Sequence, residues 1–332
     1  MRVARALARR LAVPVIGAAL AGCNSGPRLQ SPDLTLVAER PSQGRPSVTS
    51  LALNEDGSRL AVGDFVGKVA LLDVAEFKKG KWSEPGPQRC TSSVLALGAR
   101  GSELVAVPRR GAGIGWQPEA EKVHGTPQFA PLSGALVTPS LQVVCWSVPA
   151  RTLALTASPG ATTTTLRDVK IAAADAAGER VLLARERPPD NATLELRSLP
   201  NFEVVWSVKL DHPATGVALD PAAGLVAVSS GSVVELRGLA DGALLHSVVA
   251  PDAVPVAFRD GRRLLLVRDE ALSVLHYSGS GAGPATEPRI VPGFLAHRGG
   301  VGAVAISSDA RWLATGGARG DLLLFSVAPP EP

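Results

Sequence analysis

Side chains able to bind metals or act as nucleophiles are few and scattered in this sequence. No HxxH, HxxxH or HExxH pair occurs and no CxxC pair, although zinc sites and metalloproteases use these spacings. Glycines at 111, 113 and 115 lack the lysine and spacing of a phosphate-binding loop, and segment 278–283 contains no GxSxG elbow. We therefore expect no metal or cofactor, and we expect the histidines to be structural or solvated. The histidines are His124, His212, His246, His276 and His297.

Cys23 is the cysteine whose surroundings predict a specific modification. Residues 2–10 contain four arginines and no acidic residue, and the apolar run 11–20 that follows is too short to cross a bilayer as a helix. The run ends in Leu-Ala-Gly-Cys, which resembles the lipobox of bacterial lipoproteins. In these proteins the cysteine thiol receives a diacylglyceryl group before a signal peptidase cleaves ahead of it. The alternative is a general secretory signal with an incidental cysteine.

The lipobox resemblance implies an organisation and a location. Residues 1–22 would be the signal peptide, and residues 23–32 would be an acylated amino terminus and tether, with lipid attached at Cys23. More than one acyl chain gives stable membrane anchoring. The chain is therefore expected in the cell envelope, anchored to a membrane and facing the periplasm or the surface. Asn24 is not the aspartate that retains enteric lipoproteins at the inner membrane, which favours the outer membrane.

The charge balance excludes a large class of partners. The whole chain has 34 basic and 30 acidic residues, but four of the arginines lie in the predicted signal peptide. The mature chain would have 30 of each, so its net charge is near zero. Nucleic-acid binding needs a basic surface that survives maturation, and the sequence predicts none.

A repeat is the main structural signal in the sequence. Residues 48–74 and 301–327 both read as strand, turn, strand, turn, strand, and both contain an apolar segment, an Asp turn and an L-A-x-G strand end. Equivalent turn positions recur at spacings of 44, 33, 44, 46, 37 and 49 residues, which is typical of propeller blades. The predicted turn positions are Gly57, Gly101, Gly134, Gly178, Gly224, Gly261 and Ala310.

These segments resemble the WD-repeat pattern, and the resemblance covers roughly residues 33–328. It implies an all-β fold, a seven-bladed β-propeller, in which residues 33–38 supply the outer strand of the last blade and close the ring. Residues 329–332 would be a Pro-rich tail. A six-bladed or eight-bladed ring is the alternative architecture.

The sequence departs from the family's polar network. WD-repeat blades often join a tryptophan to a serine or threonine, a histidine and an aspartate through hydrogen bonds. The last blade has Phe325 at the tryptophan position, His297 and Thr315 at two others, and Arg319 at the aspartate position. We therefore expect this network to be absent and the blades to be held together by apolar contacts.

The repeat register also predicts the state of the other two cysteines. Cys90 would lie near the outer strand of the first blade and Cys145 in the third strand of the third blade. An oxidising compartment would permit a disulfide, but an intervening blade would hold the two Cα atoms beyond the limit of roughly 7 Å. Both thiols are expected to be unpaired.

Some propellers are enzymes that hold a metal or cofactor over the central channel. Such a site needs carboxylates, Asn or His where the innermost strands begin, and these positions show no cluster of them. The chain is therefore expected to bind rather than to catalyse. The positions are Ser47, Ser93, Gln128, Arg167, Thr215, Ala253 and Gly300.

Surface recognition then becomes the leading function. Arginines fall in the predicted loops between second and third strands, and apparent insertions at 75–91 and 108–128 each contain a tryptophan, a frequent interface anchor. A solvated face of mixed charge is the alternative interpretation of the arginines. The candidate partner-binding residues are Trp82, Arg109, Arg110, Trp116, Arg187, Arg268 and Arg319.

Together these observations predict a membrane-anchored, non-catalytic scaffold that binds protein or peptide partners in the cell envelope. Two other functions stay open at this point. One is an envelope enzyme with a site over the channel, and the other is a factor that helps assemble outer-membrane proteins.

Overall fold

The computed structural model describes residues 33–329 with interruptions. The positions outside the description are 82–87, 118–121, 130, 139–140, 148–151, 158–159, 165, 167, 176–177, 188–190, 259–261, 269–270, 278–287, 296, 298 and 308. The described residues form 28 strands and one short helix, α1 (Val74–Lys78). None of the described helical structure has the length and hydrophobicity needed to cross a membrane. Cys23 and the predicted signal peptide lie outside the described residues.

The described strands form seven four-stranded sheets, each of them antiparallel. Sheet 1 contains β2 (Val48–Leu53), β3 (Arg59–Asp64), β4 (Lys68–Asp73) and β5 (Gln88–Arg89). Sheet 2 contains β6 (Val94–Arg100), β7 (Glu103–Pro108), β8 (Gly111–Gln117) and β9 (Lys122–Phe129). Sheet 3 contains β10 (Gly134–Val137), β11 (Val143–Ser147), β12 (Thr152–Ala157) and β13 (Gly160–Thr164). Sheets 4 and 5 contain β14 (Val169–Ala174), β15 (Arg180–Arg187), β16 (Asn191–Ser198) and β17 (Val204–Leu210); and β18 (Ala214–Asp220), β19 (Leu225–Ser230), β20 (Val233–Gly238) and β21 (Leu244–Val249). Sheets 6 and 7 contain β22 (Val254–Phe258), β23 (Arg263–Arg268), β24 (Ala271–His276) and β25 (Arg289–Leu295); and β26 (Val301–Ile306), β27 (Trp312–Gly317), β28 (Leu322–Val327) and β1 (Leu34–Arg40).

The two middle strands of each sheet are short apolar runs because a neighbouring sheet covers each of their faces. Strand β19, for example, is buried at all six positions. The fourth strands lie at the outer edge and alternate instead, as β21 does with its mostly exposed Leu-Leu-His-Ser-Val-Val. Burial on both faces of the middle strands is what holds the sheets at fixed positions relative to one another.

The buried side chains form seven clusters, and each cluster joins two consecutive sheets. Leu104 and Val94 of sheet 2 contact Ala61 and Val69 of sheet 1 in one such cluster. The other clusters join sheets 2 and 3, 3 and 4, 4 and 5, 5 and 6, and 6 and 7 in the same way. The last cluster joins sheet 7 to sheet 1, so the order of packing among the described sheets returns to its start.

Strand β1 completes sheet 7, as the sequence predicted. It pairs antiparallel with β28, from Leu34 opposite Val327 to Arg40 opposite Leu322, with one irregularity in the register. Asp33 precedes the strand and accepts a hydrogen bond on its carbonyl from the Ala328 N–H at 2.9 Å. The two ends of the described chain therefore meet in one sheet, because the outer strand and its neighbour come from opposite ends of the sequence.

The turn between first and second strands follows the predicted register in five sheets. Gly57, Gly101, Gly178, Gly224 and Ala310 all have positive φ in these turns. In tight hairpins such a backbone conformation is inexpensive for glycine, and Ala310, at φ 53°, adopts it despite its Cβ. Position 261 lies outside the described residues.

The register predicted for sheet 3 is wrong. Gly134 begins the first strand, β10, rather than forming a turn. The turn lies at 138–142, where Leu141 has φ 62° and donates its N–H to the Thr138 carbonyl at 2.8 Å. A non-glycine residue occupies the left-handed position here, so no glycine marks this turn in the sequence.

Cys90 and Cys145 are free and buried. Cys90 contributes to the cluster between sheets 1 and 2, and Cys145 to the cluster between sheets 2 and 3, so sheet 2 separates them. The corrected register places Cys145 in β11, the second strand of its sheet rather than the third. Burial raises the pKa of each thiol to about 11, which leaves both thiols protonated and unreactive at neutral pH.

Candidate functional site

The direction of the strands sorts the connecting loops onto two ends of the fold. Because consecutive strands are antiparallel, the loop between the second and third strands and the loop from the fourth strand to the next sheet lie at the same end. We call this end the loop face. The other two kinds of loop lie at the opposite end together with Asp33 and Ala328, and we call that end the terminal face.

The structure brings the predicted arginines to the loop face. Arg109 and Arg110 form the turn between β7 and β8, and Arg319 lies in the turn between β27 and β28; all three are exposed. Arg268 is also exposed and ends β23. Arg187 ends β15, but its side chain lies outside the description.

Three of these arginines belong to one hydrogen-bonded surface. It begins at the turn of sheet 7 that contains Arg319, where the Ala318 carbonyl accepts a hydrogen bond from the Ser47 hydroxyl. The Ser47 carbonyl in turn accepts the Phe65 N–H at 2.9 Å. Gly320 lies so close to Arg45 that a Cβ on the glycine would be 2.6 Å from the Arg45 carbonyl oxygen. The turn of sheet 7 is thereby fixed against the turn of sheet 1.

The surface continues from sheet 1 to sheet 2. The Gly67 carbonyl accepts the Cys90 N–H at 2.8 Å, directly after the exposed Arg89. The hydroxyls of Thr91 and Ser92 donate to the Arg110 carbonyl at 2.7 and 3.0 Å, and the Arg110 N–H donates back to the Ser92 hydroxyl at 2.9 Å. The loops that contain Arg319 and Arg110 and the end of β5 at Arg89 therefore form one continuous strip across three sheets.

The middle of this strip is apolar, a feature that the repeat pattern does not predict. Phe65 is 65% exposed and Val66 is 53% exposed, in the turn between β3 and β4. Asp64 fixes the turn, since its carboxylate accepts the N–H groups of Val66 at 2.9 Å and Lys68 at 2.8 Å. We call the strip the arginine arc. Its members are Arg45, Phe65, Val66, Lys68, Arg89, Arg109, Arg110 and Arg319.

A cavity of about 140 Å³ opens beneath the arc between sheets 7 and 1. Three of its lining side chains are cationic, those of Arg40, Arg45 and Lys68, and one is anionic, that of Asp64. The remaining wall is apolar and comes from Pro46, Val48, Val62 and Ala70. Arg40 ends β1. Its proximity to sheet 1 depends on the packing of sheet 7 against sheet 1, which the local sequence does not reveal.

The two predicted tryptophan anchors differ in outcome. Trp82 lies outside the described residues. Trp116 is only 4% exposed and contributes to the core between sheets 1 and 2, so its prediction as a partner contact is wrong. Segment 108–128 is not an insertion, because β8 and most of β9 occupy it and supply the outer half of sheet 2. The glycines at 111–115 belong to β8 rather than to a loop.

Sheet 7 contains a histidine arrangement that resembles a catalytic triad in its connectivity. His297 Nδ1 contacts a carboxylate oxygen of Asp321, and His297 Nε2 lies 2.8 Å from the Thr315 hydroxyl. The side chain of His297 and the whole of Thr315 are 0% exposed, so no substrate can reach either group. The arrangement ties three segments of the sheet together and is structural.

This finding corrects the prediction that the polar network is absent. Asp321, two residues after Arg319, supplies the carboxylate, because the turn ends at Gly320 and Asp321 begins the return toward the sheet. The Gly317 N–H donates to the Asp321 carbonyl at 2.9 Å and fixes that position. Phe325 occupies the tryptophan position and is fully buried between sheets 6 and 7. The signal available in the sequence was the Gly-Asp pair directly before an apolar strand.

The start of each innermost strand is the place where a catalytic propeller would hold its ligands. Gln128 was assigned to such a position, but it lies in β9, the outer strand of sheet 2, and Ser133 precedes the inner strand β10 instead. Arg167 lies outside the described residues. Among the residues that the structure does describe, no group of three His, Cys, Asp or Glu could hold a metal ion.

Comparison with known proteins supports the fold. No family model matches the chain, and no curated protein matches it. The chain is similar in structure to the β-propeller domain of Cps50 (Swd1) from Myceliophteria thermophila, with a TM-score of 0.66 and 16% sequence identity. The match covers 89% of this chain and 100% of that domain. The fold is therefore an all-β propeller.

Proposed function

We propose that this chain is a lipid-anchored scaffold of the cell envelope that binds protein partners on its loop face and has no catalytic activity. The observation that carries the proposal is the arginine arc, which presents exposed arginines and an exposed Phe-Val pair on a rigid framework. Arginine and aromatic side chains are enriched in protein interfaces. A rigid framework lowers the entropic cost of binding because little has to be ordered.

We also propose that the domain is a closed ring of seven blades. The seven clusters between consecutive sheets support this count, including the cluster that joins sheet 7 to sheet 1. The pairing of β1 with β28 supports closure by strands from both ends of the chain. Closure leaves only short edges and so protects the sheets from pairing with other molecules.

The proposed tether would join the domain at the end opposite the loop face. Asp33 follows the proposed tether directly, and it lies on the terminal face beside Ala328. A tether of residues 23–32 would hold that face within roughly 35 Å of the membrane, given at most about 3.5 Å per residue. The loop face would then point away from the membrane, toward partners in the surrounding compartment.

Replacing Cys23 with Ser tests the anchor. The serine hydroxyl cannot accept the thioether-linked diacylglyceryl group, so the variant should accumulate as an uncleaved precursor or a soluble form. Detergent phase partitioning and the mass of the amino terminus measure the change. Cys90→Ser is the matched control and should leave partitioning unchanged, since that thiol is buried in the fold. A Cys23→Ser protein that still matures and fractionates with membranes would show that the lipoprotein assignment is wrong.

Site-specific photo-cross-linking in cells tests the scaffold. A photoreactive amino acid at Phe65, on the loop face, should form discrete adducts with a protein partner. The same group at Arg311, an exposed residue of the terminal face, should form none with that partner. Both positions are solvent-exposed, so the comparison isolates the face rather than accessibility. Equal adducts from both positions, or none from Phe65, would contradict binding through the loop face.

A further inference from the structure

We propose that the arginine arc recognises an acidic segment of a partner protein that also presents one apolar side chain. This inference rests on the proposed scaffold function and names the chemistry of its partner. The acidic groups would pair with the arginines at either end of the arc, and the apolar side chain would contact Phe65 and Val66 at its middle.

The charge of the arc is concentrated rather than general. Residues 33–332 contain nearly equal numbers of basic and acidic residues, yet the arc contains six cationic side chains within the loops of three sheets. The side chains of Arg89, Arg109, Arg110 and Arg319 form no ion pair with any residue that the structure describes. A cluster of exposed cations in a neutral domain is complementary to an acidic ligand and would also speed its encounter.

Two of the nearby acids are engaged in contacts within the framework. The Asp64 carboxylate accepts two backbone N–H groups in the turn of sheet 1, and the Asp321 carboxylate contacts buried His297. These acids therefore stabilise the turns that present the cations. The third nearby acid, Glu39, is exposed and lies at the edge of sheet 7.

The apolar centre distinguishes this surface from a solvated basic patch. The Phe65 side chain is mostly exposed to solvent, so it contributes little to packing in the turn between β3 and β4. Gly67 seats the turn tightly, since a Cβ there would be 2.6 Å from the Cys90 carbonyl oxygen and 2.7 Å from that of Ser92. An exposed aromatic side chain on a fixed turn, in a strip that also presents arginines, has the composition of an interface hot spot.

The cavity beneath the arc fits a side chain of the same ligand. Its volume of about 140 Å³ is several times the roughly 30 Å³ that one water occupies in the liquid. The cavity can therefore admit a single side chain. Its lining contains the cationic side chains of Arg40, Arg45 and Lys68 and the anionic side chain of Asp64, and we place an Asp or Glu carboxylate of the ligand there. The aliphatic wall formed by Val48 and Val62 would contact the methylene groups of that side chain.

Two other polyanions suit the observations less well. A nucleic acid strand contacts proteins through a phosphate backbone that needs a longer basic path, and here an apolar pair interrupts the cations. A membrane surface would need the arc on the same end as the tether, but Asp33 lies on the opposite end. An acidic protein segment uses both the arginines and the Phe-Val pair.

The test measures binding of a defined peptide to the purified full chain in detergent by fluorescence anisotropy. The probe is a labelled peptide of about twelve residues, rich in Asp and Glu around one central Leu. We expect the Arg109→Glu and Arg110→Glu double variant to weaken binding at least about tenfold, through loss of attraction and added repulsion. We expect Phe65→Ser to weaken it about tenfold as well. Binding to the unchanged protein should weaken as salt increases.

Matched variants and probes decide between the outcomes. Arg311→Glu, a charge reversal on the terminal face, and Val249→Ser, a loss of an exposed apolar side chain in β21, should leave binding unchanged. Weakening by Arg311→Glu equal to that of the double variant would overturn the inference. Tighter arc-dependent binding of a single-stranded oligonucleotide or of anionic phosphatidylglycerol vesicles would overturn the acidic-segment assignment.

The result is separable from the scaffold proposal. Cross-links from Phe65 in cells, combined with peptide binding that the arc variants do not change, would overturn the inference. The scaffold proposal would still be supported. Arc-dependent peptide binding without any cross-link in cells would support the chemistry of the arc and count against the scaffold.

Discussion

Deletion of residues 31–38 should abolish cooperative folding or lower the Tm by at least about 10 °C, far beyond the effect of deleting residues 24–30. The reason is that residues 34–38 form most of β1, the fourth strand of sheet 7, and make most of the pairing between β1 and β28. The deletion also removes the buried Leu34 and Ala38 and the carboxylate of Asp33. Loss of these contacts should cost about 5 kcal/mol or more, from roughly 2 kcal/mol for an apolar side chain and about 3 kcal/mol for one partner of a buried ion pair.

Deletion of residues 24–30 is the matched control, because it removes a similar length of chain on the amino-terminal side of β1. Thermal unfolding followed by circular dichroism measures both truncations. Identical melting temperatures for the two would mean that β1 does not close the sheet. A large loss in both would mean that the tether itself belongs to the folded domain.

Asp33→Asn should lower the free energy of unfolding by about 3 kcal/mol at neutral pH, because the change leaves a buried cation without its anionic partner. Arg263 Nη1 donates to one oxygen of Asp33 at 2.7 Å, and His276 Nε2 lies 3.0 Å from the other. The side chains of Asp33 and Arg263 are both only 8% exposed. Arg263 also reaches the Ala328 carbonyl at 3.4 Å, so this cluster ties both ends of the described chain to sheet 6.

The effect of Asp33→Asn should depend on pH in one direction. Burial alone would raise the pKa of Asp33, but hydrogen bonds and charges from Arg263 and His276 outweigh it and lower the pKa below its ordinary value. A carboxylate with a lowered pKa stabilises the folded state above the unfolded-state value of about 3.9, and its contribution disappears as the pH falls through the folded-state pKa. The difference between wild type and variant should therefore be present at neutral pH and shrink below about pH 4.

Urea unfolding at several pH values measures this difference. Asp252→Asn is the control, since Asp252 is exposed and its positive φ of 61° is a conformation that Asn tolerates. A difference for Asp33→Asn that stays constant down to pH 2, or one no larger than that of Asp252→Asn, would contradict the role of this ion pair in closing the ring.

The local pattern of the sequence was enough to predict the strands and most of their turns. Short apolar runs bounded by turn residues identified sheets 1 and 7, where Gly57 and Ala310 have positive φ as the register requires. The same pattern placed Arg109, Arg110 and Arg319 in loops at one end, because alternation of antiparallel strands fixes which loops share an end. The pattern failed in sheet 3, where Leu141 makes the turn without a glycine.

Contacts between distant segments were decided by the tertiary structure alone. Asp321 reaches His297 because the turn of sheet 7 folds back, whereas the repeat pattern in the sequence places Arg319 at that position. Trp116 is buried because sheet 1 covers it, which its own neighbours in the sequence do not reveal. The arginine arc joins loops from distant parts of the chain, as in the contact of Ser47 with Ala318 across 271 residues. Local propensity fixes strands and turns, whereas which loops touch depends on how the sheets close on one another.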